Sequence, residues 1–157
     1  MKPQFEIIAE IGLQHDGSVK LAELLIDQCR DAEAGAVKVQ FFTARDLSGR
    51  TKNGWSALKR YALSAEEVLY LSRYARRRHL KFGVSFFGTD GFKNLQPRLK
   101  HLDFVKIPAT LSFNAALCGL IDCATWRKGL GAAQPRVIAS VYDAVWHGTH
   151  SETYRQQ

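Results

Sequence analysis

Six polar residues interrupt apolar runs of this chain at places where they could grip a small anion and move a proton. Glu10 stands in Ile7-Ile8-Ala9-Glu10-Ile11, Lys38 and Gln40 in Ala36-Val37-Lys38-Val39-Gln40-Phe41-Phe42, and Ser85 in Lys81-Phe82-Gly83-Val84-Ser85-Phe86-Phe87. Lys106 stands in Leu102-Asp103-Phe104-Val105-Lys106-Ile107, and Ser140 ends Val137-Ile138-Ala139-Ser140. Taking an ammonium group out of water without a partner is costly, so Lys38 and Lys106 must face an anion or water. A small ligand carrying phosphate and carboxylate would partner both. Serine hydroxyls would complete the cradle, and Glu10 could move a proton or hold a sugar hydroxyl. Singly, each residue has a plainer reading. A strand lysine can lay its stem along apolar surface with its head in water, and a strand serine is commonly a hydrogen-bonded core residue. Five segments in agreement give the pattern its weight.

The elements that must position these residues follow from periodicity. Apolar runs predict strands at 5–11, 36–42, 81–87, 102–107 and 136–141. Between them, helical spacing of Leu21, Leu24, Leu25 and Cys29 predicts a helix after the Asp16-Gly17-Ser18 turn, with Ser18 placed to cap it. Ser64-x-x-Glu67 is a capping box opening a second helix with Val68, Leu71 and Ala75 on its apolar face. Further helical segments are expected at 89–99 and 112–127, and a long loop at 43–63. The order βαβαβαβαβ implies a parallel sheet. Polar residues then fall at C-terminal strand ends, where parallel α/β folds build their sites.

Two architectures share this pattern, a doubly wound sheet and a barrel. A dinucleotide site of the doubly wound kind wants G-x-G-x-x-G after the first strand. The sequence there is Gly12-Leu13-Gln14-His15-Asp16-Gly17, and Gly129-Leu130-Gly131 lacks the third glycine, so neither fits. Residues 1–142 are expected to form one domain, with 143–157 a polar C-terminal tail.

Composition sets broad bounds. The chain has 157 residues, 46% of them hydrophobic and 24% charged, which is globular. No stretch reaches the ~20 apolar residues of a membrane span, and the N-terminus shows no secretory pattern. A cytoplasmic protein is expected. Cys29, Cys118 and Cys123 form no C-x-x-C pair and are expected as buried, reduced thiols. The net charge is +7, with Arg73, Arg76, Arg77, Arg78 and Lys81 clustered. Such a cluster can hold nucleic acid, but a solvated helix face is the expectation, and nucleic acid ranks last among partners.

Ile7-Ile8-Ala9-Glu10-Ile11-Gly12-Leu13-Gln14-His15-Asp16-Gly17 resembles the opening motif of the N-acetylneuraminate (sialic acid) synthase family, I-I-A-E-I-G-x-N-H-x-G. The 36–42 segment is similar to that family's A-V-K-F-Q. The strands holding Ser85, Lys106 and Ser140 stand where the family has S-T-P-F, K-I-A/G-S and V-I-L-S. The resemblance runs from about residue 5 to 141, and the first two motifs carry most of it.

The resemblance implies a partial (β/α)8 barrel of five parallel strands and four crossover helices. It also implies condensation of phosphoenolpyruvate (PEP) with an N-acyl hexosamine of the N-acetylmannosamine type, giving a nine-carbon keto acid sugar and phosphate. By position, Glu10 would be the catalytic acid/base. Lys38 and Lys106 would bind the anionic groups of PEP, with Ser85 and Ser140 as hydroxyl donors, and Gln40 and Phe87 would touch the sugar. The family uses a divalent metal, Mn2+ or Mg2+, whose histidine ligands lie on later strands. His147 and His150 are not in that context, so no metal ligand is assigned to this chain. Ala109 falls where a phosphate-binding serine is expected, with Thr110 and Ser112 close by. Five strands of eight leave open edges, so the resemblance implies an incomplete site and a homo-oligomer or a missing C-terminal half as partner. A non-catalytic half-barrel and a related PEP aldolase acting on a sugar phosphate are the alternatives.

Overall fold

The computed structural model of the chain describes residues 6–43, 45–47, 58–126 and 135–140. Five strands form a single sheet: β1 (Ile8–Gly12), β2 (Ala36–Phe41), β3 (Lys81–Phe86), β4 (Phe104–Ile107) and β5 (Arg136–Ala139). Four helices separate them: α1 (Val19–Asp31), α2 (Ala65–Arg77), α3 (Thr89–Leu95) and α4 (Ala115–Trp126). Short 3-10 turns cover Arg45–Leu47, Gln96–His101 and Ala109–Leu111.

Every strand pair is parallel, and the order across the sheet is β1-β2-β3-β4-β5. This order separates the two architectures that periodicity could not. A doubly wound sheet reverses direction and needs helices on both faces. Right-handed crossovers that always step the same way put all helices on one face. The core agrees. Ile11, Val37, Val39, Phe41, Phe82, Val84, Phe86, Val105 and Ile107 pack in one cluster with Ala22 and Ile26 of α1, Val68, Leu71 and Ala75 of α2, Phe92 and Leu95 of α3, and Leu117 and Ile121 of α4. Side chains alternate along a strand, so the other face carries the remaining set.

The sheet also curls. Glu6, just before β1, is ion-paired with Lys81 at the start of β3 (2.5 Å) and with Arg136 at the start of β5 (3.1 Å). Strands about 4.8 Å apart would separate β1 from β5 by roughly 19 Å in a flat sheet, beyond the reach of one glutamate and one arginine. The sheet is an arc of a barrel wall, with Glu6 tying its N-terminal ends together.

Local signals account for the helix starts. Ser18 caps α1 by accepting from the Leu21 N–H at 3.2 Å. Ser64 and Glu67 form the reciprocal capping box of α2, at 3.2 and 2.7 Å. The buried face of α1 is Ala22 and Ile26, not the expected leucine stripe. Leu24 points to solvent, and Leu25 and Cys29 are half-buried. Two positions, Ala22 and Ile26, are the ones that meet the sheet, one helical turn apart on the same face. Ile7, expected inside the first strand, is exposed, and the strand begins one residue later. The expected buried cysteines also need correcting. Cys123 is exposed and the other two are half-buried, because α4 turns much of its surface outward. The 143–157 tail lies outside the described residues.

Candidate anion-binding site

Strand register places the site. Glu10, Lys38, Gly83, Phe104 and Arg136 are successive neighbours across the sheet, and two residues further along lie Gln40, Ser85, Lys106 and Ile138. Neighbours in a parallel ladder share a face, so Glu10, Lys38, Gln40, Ser85 and Lys106 all stand on the face away from the helices. Phe87 and Ser140 follow in the same phase, one step beyond the ends of β3 and β5.

Lys38 is the centre. It is 6% exposed. Its Nζ donates to Ser85 Oγ at 2.7 Å and is ion-paired with the Glu10 carboxylate. Burial pulls the Lys38 amine below its ordinary pKa, Glu10 counters that, and the positive charge of Lys106 pulls the same way as burial. Glu10 itself is about half open to solvent, so the pair spans the boundary between wall and lumen. Below it, Gly83 gives room to Phe104. A Cβ at Gly83 would lie 2.2 Å from that ring, so the phenyl forms the floor.

The end of β1 shapes the other wall. Gly12 has φ +57°, a left-handed conformation that suits glycine, and the β1–β2 register shifts between Glu10 and Gly12. A side chain at Gly12 would meet Glu10 Oε1 at 3.4 Å and Gln40 Nε2 at 3.6 Å. Glu10 and Gln40 are therefore side by side over this glycine. Phe87 packs edge-to-face on Phe42, ring centres 6.2 Å apart, at the C-terminal rim. The Ser140 backbone N–H donates to the Ile107 carbonyl at 3.0 Å, extending the β4–β5 ladder toward the same rim. Beyond β4, Ser112 donates to the Ala109 carbonyl at 2.8 Å, so its hydroxyl hydrogen is committed to its own turn.

Two residues that no strand pattern marked support this rim. Asp46 accepts from the Thr43 N–H (2.8 Å) and hydroxyl (3.0 Å) and from the N–H groups of Asp90 (3.0 Å) and Gly91 (2.8 Å). It ties the exit of β2 to the first turn of α3. Its segment has no periodicity, and two of its partners lie some forty residues away, so only the acidic residue itself was visible. His15 is fully buried in the β1–α1 turn, with Nδ1 accepting from the Gly17 N–H at 3.1 Å. Burial pushes its imidazole below the ordinary pKa. Its place between Gly12 and Gly17 was the available signal.

The basic cluster is largely paired. Arg76 meets Asp103 at 3.3 Å, Arg78 meets Asp27 at 2.7 Å, Lys81 meets Glu6, and Arg77 lies over the Tyr74 ring. No helix among the described residues is long and apolar enough to cross a membrane.

No protein-family model matches the chain. N,N'-diacetyllegionaminic acid synthase of Legionella pneumophila is 28% identical over 168 residues, covering 87% of this chain and 46% of that protein. Spore coat polysaccharide biosynthesis protein SpsE of Bacillus subtilis is 33% identical over 87 residues, 48% of this chain and 23% of that one. The crystal structure of an N-acetylneuraminic acid (sialic acid) synthetase from Leptospira borgpetersenii, in complex with citrate, superimposes with a TM-score of 0.69 and 26% identity over 76% of this chain and 41% of that one. The chain is similar in sequence and fold to proteins named as sialic acid and legionaminic acid synthases. It spans less than half the length of these relatives. Its five strands and four helices correspond to part of a sialic acid synthase barrel.

Sialic acid synthase kinship implies a divalent metal. Among the described residues no group of three or more His, Cys, Asp or Glu side chains is placed to hold one. Among the described residues the inner face of the strands offers the Glu10 carboxylate, already paired with Lys38, so these residues do not fit a metal. His147 and His150 lie outside the described residues.

Proposed function

We propose that this chain provides the PEP-binding part of a sialic acid synthase-type site. The observation that carries the reading is the buried Lys38, held by Ser85 and Glu10 on the inner face, with Lys106 in register beside Ser85. Two ammonium groups and a hydroxyl suit a metabolite with phosphate and carboxylate, since charge-assisted hydrogen bonds are the strong ones.

In the proposed reaction the C3 carbon of PEP bonds to the aldehyde carbon of an open-chain N-acyl hexosamine. The aldehyde oxygen gains a proton. Water adds at C2, the carbon bearing phosphate, and the bond from C2 to the phosphate oxygen breaks to release phosphate and leave the keto acid. Lys38 and Lys106 hold the anionic groups of PEP, with Ser85 and Ser140 donating. Glu10, exposed enough to reach the lumen and ion-paired with Lys38, takes the proton that the adding water gives up and passes it to the aldehyde oxygen. Gln40 and Phe87 contact the sugar from the rim. A second copy of the chain or a missing C-terminal half would close the barrel around this site.

Calorimetric titration with PEP tests this reading. The chain should bind PEP, and Lys38→Ala and Lys106→Ala should each weaken binding by roughly 10–100-fold, the effect of one charge-assisted hydrogen bond. No binding by the wild-type chain would support a non-catalytic half-barrel instead.

A further inference from the structure

Resting on the site proposed above, we infer that His15, which touches none of the proposed ligand contacts, is a positioning residue that holds the Gly12 wall against Glu10 and Gln40. His15 is fully buried beneath the turn that joins β1 to α1. Its Nδ1 accepts the Gly17 N–H, so the ring is neutral with its proton on Nε2. Nε2 makes no hydrogen bond, and burial holds the imidazole below its ordinary pKa although the Gly12 backbone favours its charged form.

Both glycines that flank the histidine hold left-handed backbone, Gly12 at φ +57° and Gly17 at φ +75°. A Cβ at Gly17 would lie 2.0 Å from the Arg60 carbonyl oxygen. Asp16 is paired with Arg60 at 3.1 Å, fixing the same turn to the segment before α2. Gly12, at the other end, leaves open the space beside the Glu10 carboxylate and the Gln40 amide that a Cβ would enter. The turn between them is pinned by backbone bonds Gln14 to Ile11, Asp16 to Leu13 and Ser18 to His15. The imidazole is fully buried at this turn and bonded to its Gly17 N–H. Removing it frees Gly12 to shift, and the Glu10–Lys38 pair shifts with it.

The test compares His15→Asn, whose side-chain oxygen can accept from Gly17 as Nδ1 does, with His15→Leu, which cannot. The readouts are circular dichroism, the pH profile of Lys38 acylation followed by peptide mass spectrometry, and PEP affinity. His15→Leu should keep its helix content, move the Lys38 profile, and weaken PEP by roughly tenfold, the effect of about one lost hydrogen bond. His15→Asn should restore both. A folded His15→Leu with the wild-type Lys38 profile overturns the inference. Should the leucine variant not fold, the nitrogen-15 spectrum of wild-type His15 decides, and a proton on Nδ1 overturns it. Wild-type protein that binds no PEP overturns the proposed function instead, and leaves the Lys38 profile to decide the role of His15.

Discussion

Lys38 and Ser85 meet two residues out of register: the Lys38 Nζ donates to Ser85 Oγ at 2.7 Å, although the β3 neighbour of Lys38 is Gly83. The glycine is the reason. Its missing side chain leaves space that the Phe104 ring fills from β4. The ammonium is thereby carried toward the C-terminal end of the sheet, where Ser85, Lys106 and the Glu10 carboxylate gather.

Gly83→Ala should therefore be costly at a position that looks harmless. The new Cβ meets a ring that is itself 2% exposed and has little room to yield. Overpacking of this kind costs about 1–3 kcal/mol, measured as a lower urea midpoint. Adding Phe104→Leu should recover part of it, and Phe104→Leu alone should not stabilise.

Lys38→Met predicts a pH effect with a definite sign. The folded pKa of Lys38 lies below its unfolded value near 10.5. Between those two values the unfolded chain holds more protons, so wild-type stability rises with pH across that alkaline window. The methionine variant should lack that rise. It should also be at least as stable as wild type near neutral pH, because a desolvated charge is gone. Glu10→Gln does the reverse. It leaves the buried amine without its carboxylate, costs about 1–3 kcal/mol near neutral pH, and pushes the Lys38 pKa down further. Thermal melts of the three proteins across pH check both signs.

Asp46→Ala should loosen the rim. It removes the acceptor for three backbone N–H groups, two of them at the start of α3. Loss of such a cap costs about 1–2 kcal/mol. Asp46→Asn keeps one acceptor oxygen and should lose less. Hydrogen exchange at Asp90 and Gly91 reports the change directly.

Much of this was readable from sequence. Alternating strands gave the βα order, and the inward phase of Glu10, Lys38, Gln40, Ser85 and Lys106 follows from simple two-residue counting. The Ser18 cap and the Ser64–Glu67 box lie where short local rules put them. Contacts distant in sequence were not readable. Glu6 reaches Arg136 across 130 positions, and Asp46 reaches Asp90, because the curl of the sheet and the packing of α3 bring them together. Leu24 misled because helical spacing alone does not fix which stripe meets the sheet. His15 had no apolar or strand context beyond its place between Gly12 and Gly17, and its burial comes from the turn closing around it.

The central claim is that Lys38 and Lys106 serve one anion. Acylation of lysines in the whole chain, followed by peptide mass spectrometry across a PEP titration, tests it most directly. Both residues should become protected together, at the same half-saturating PEP concentration, while the exposed Lys20 and Lys59 react unchanged. Protection of only one of the pair, or of neither, would contradict the account.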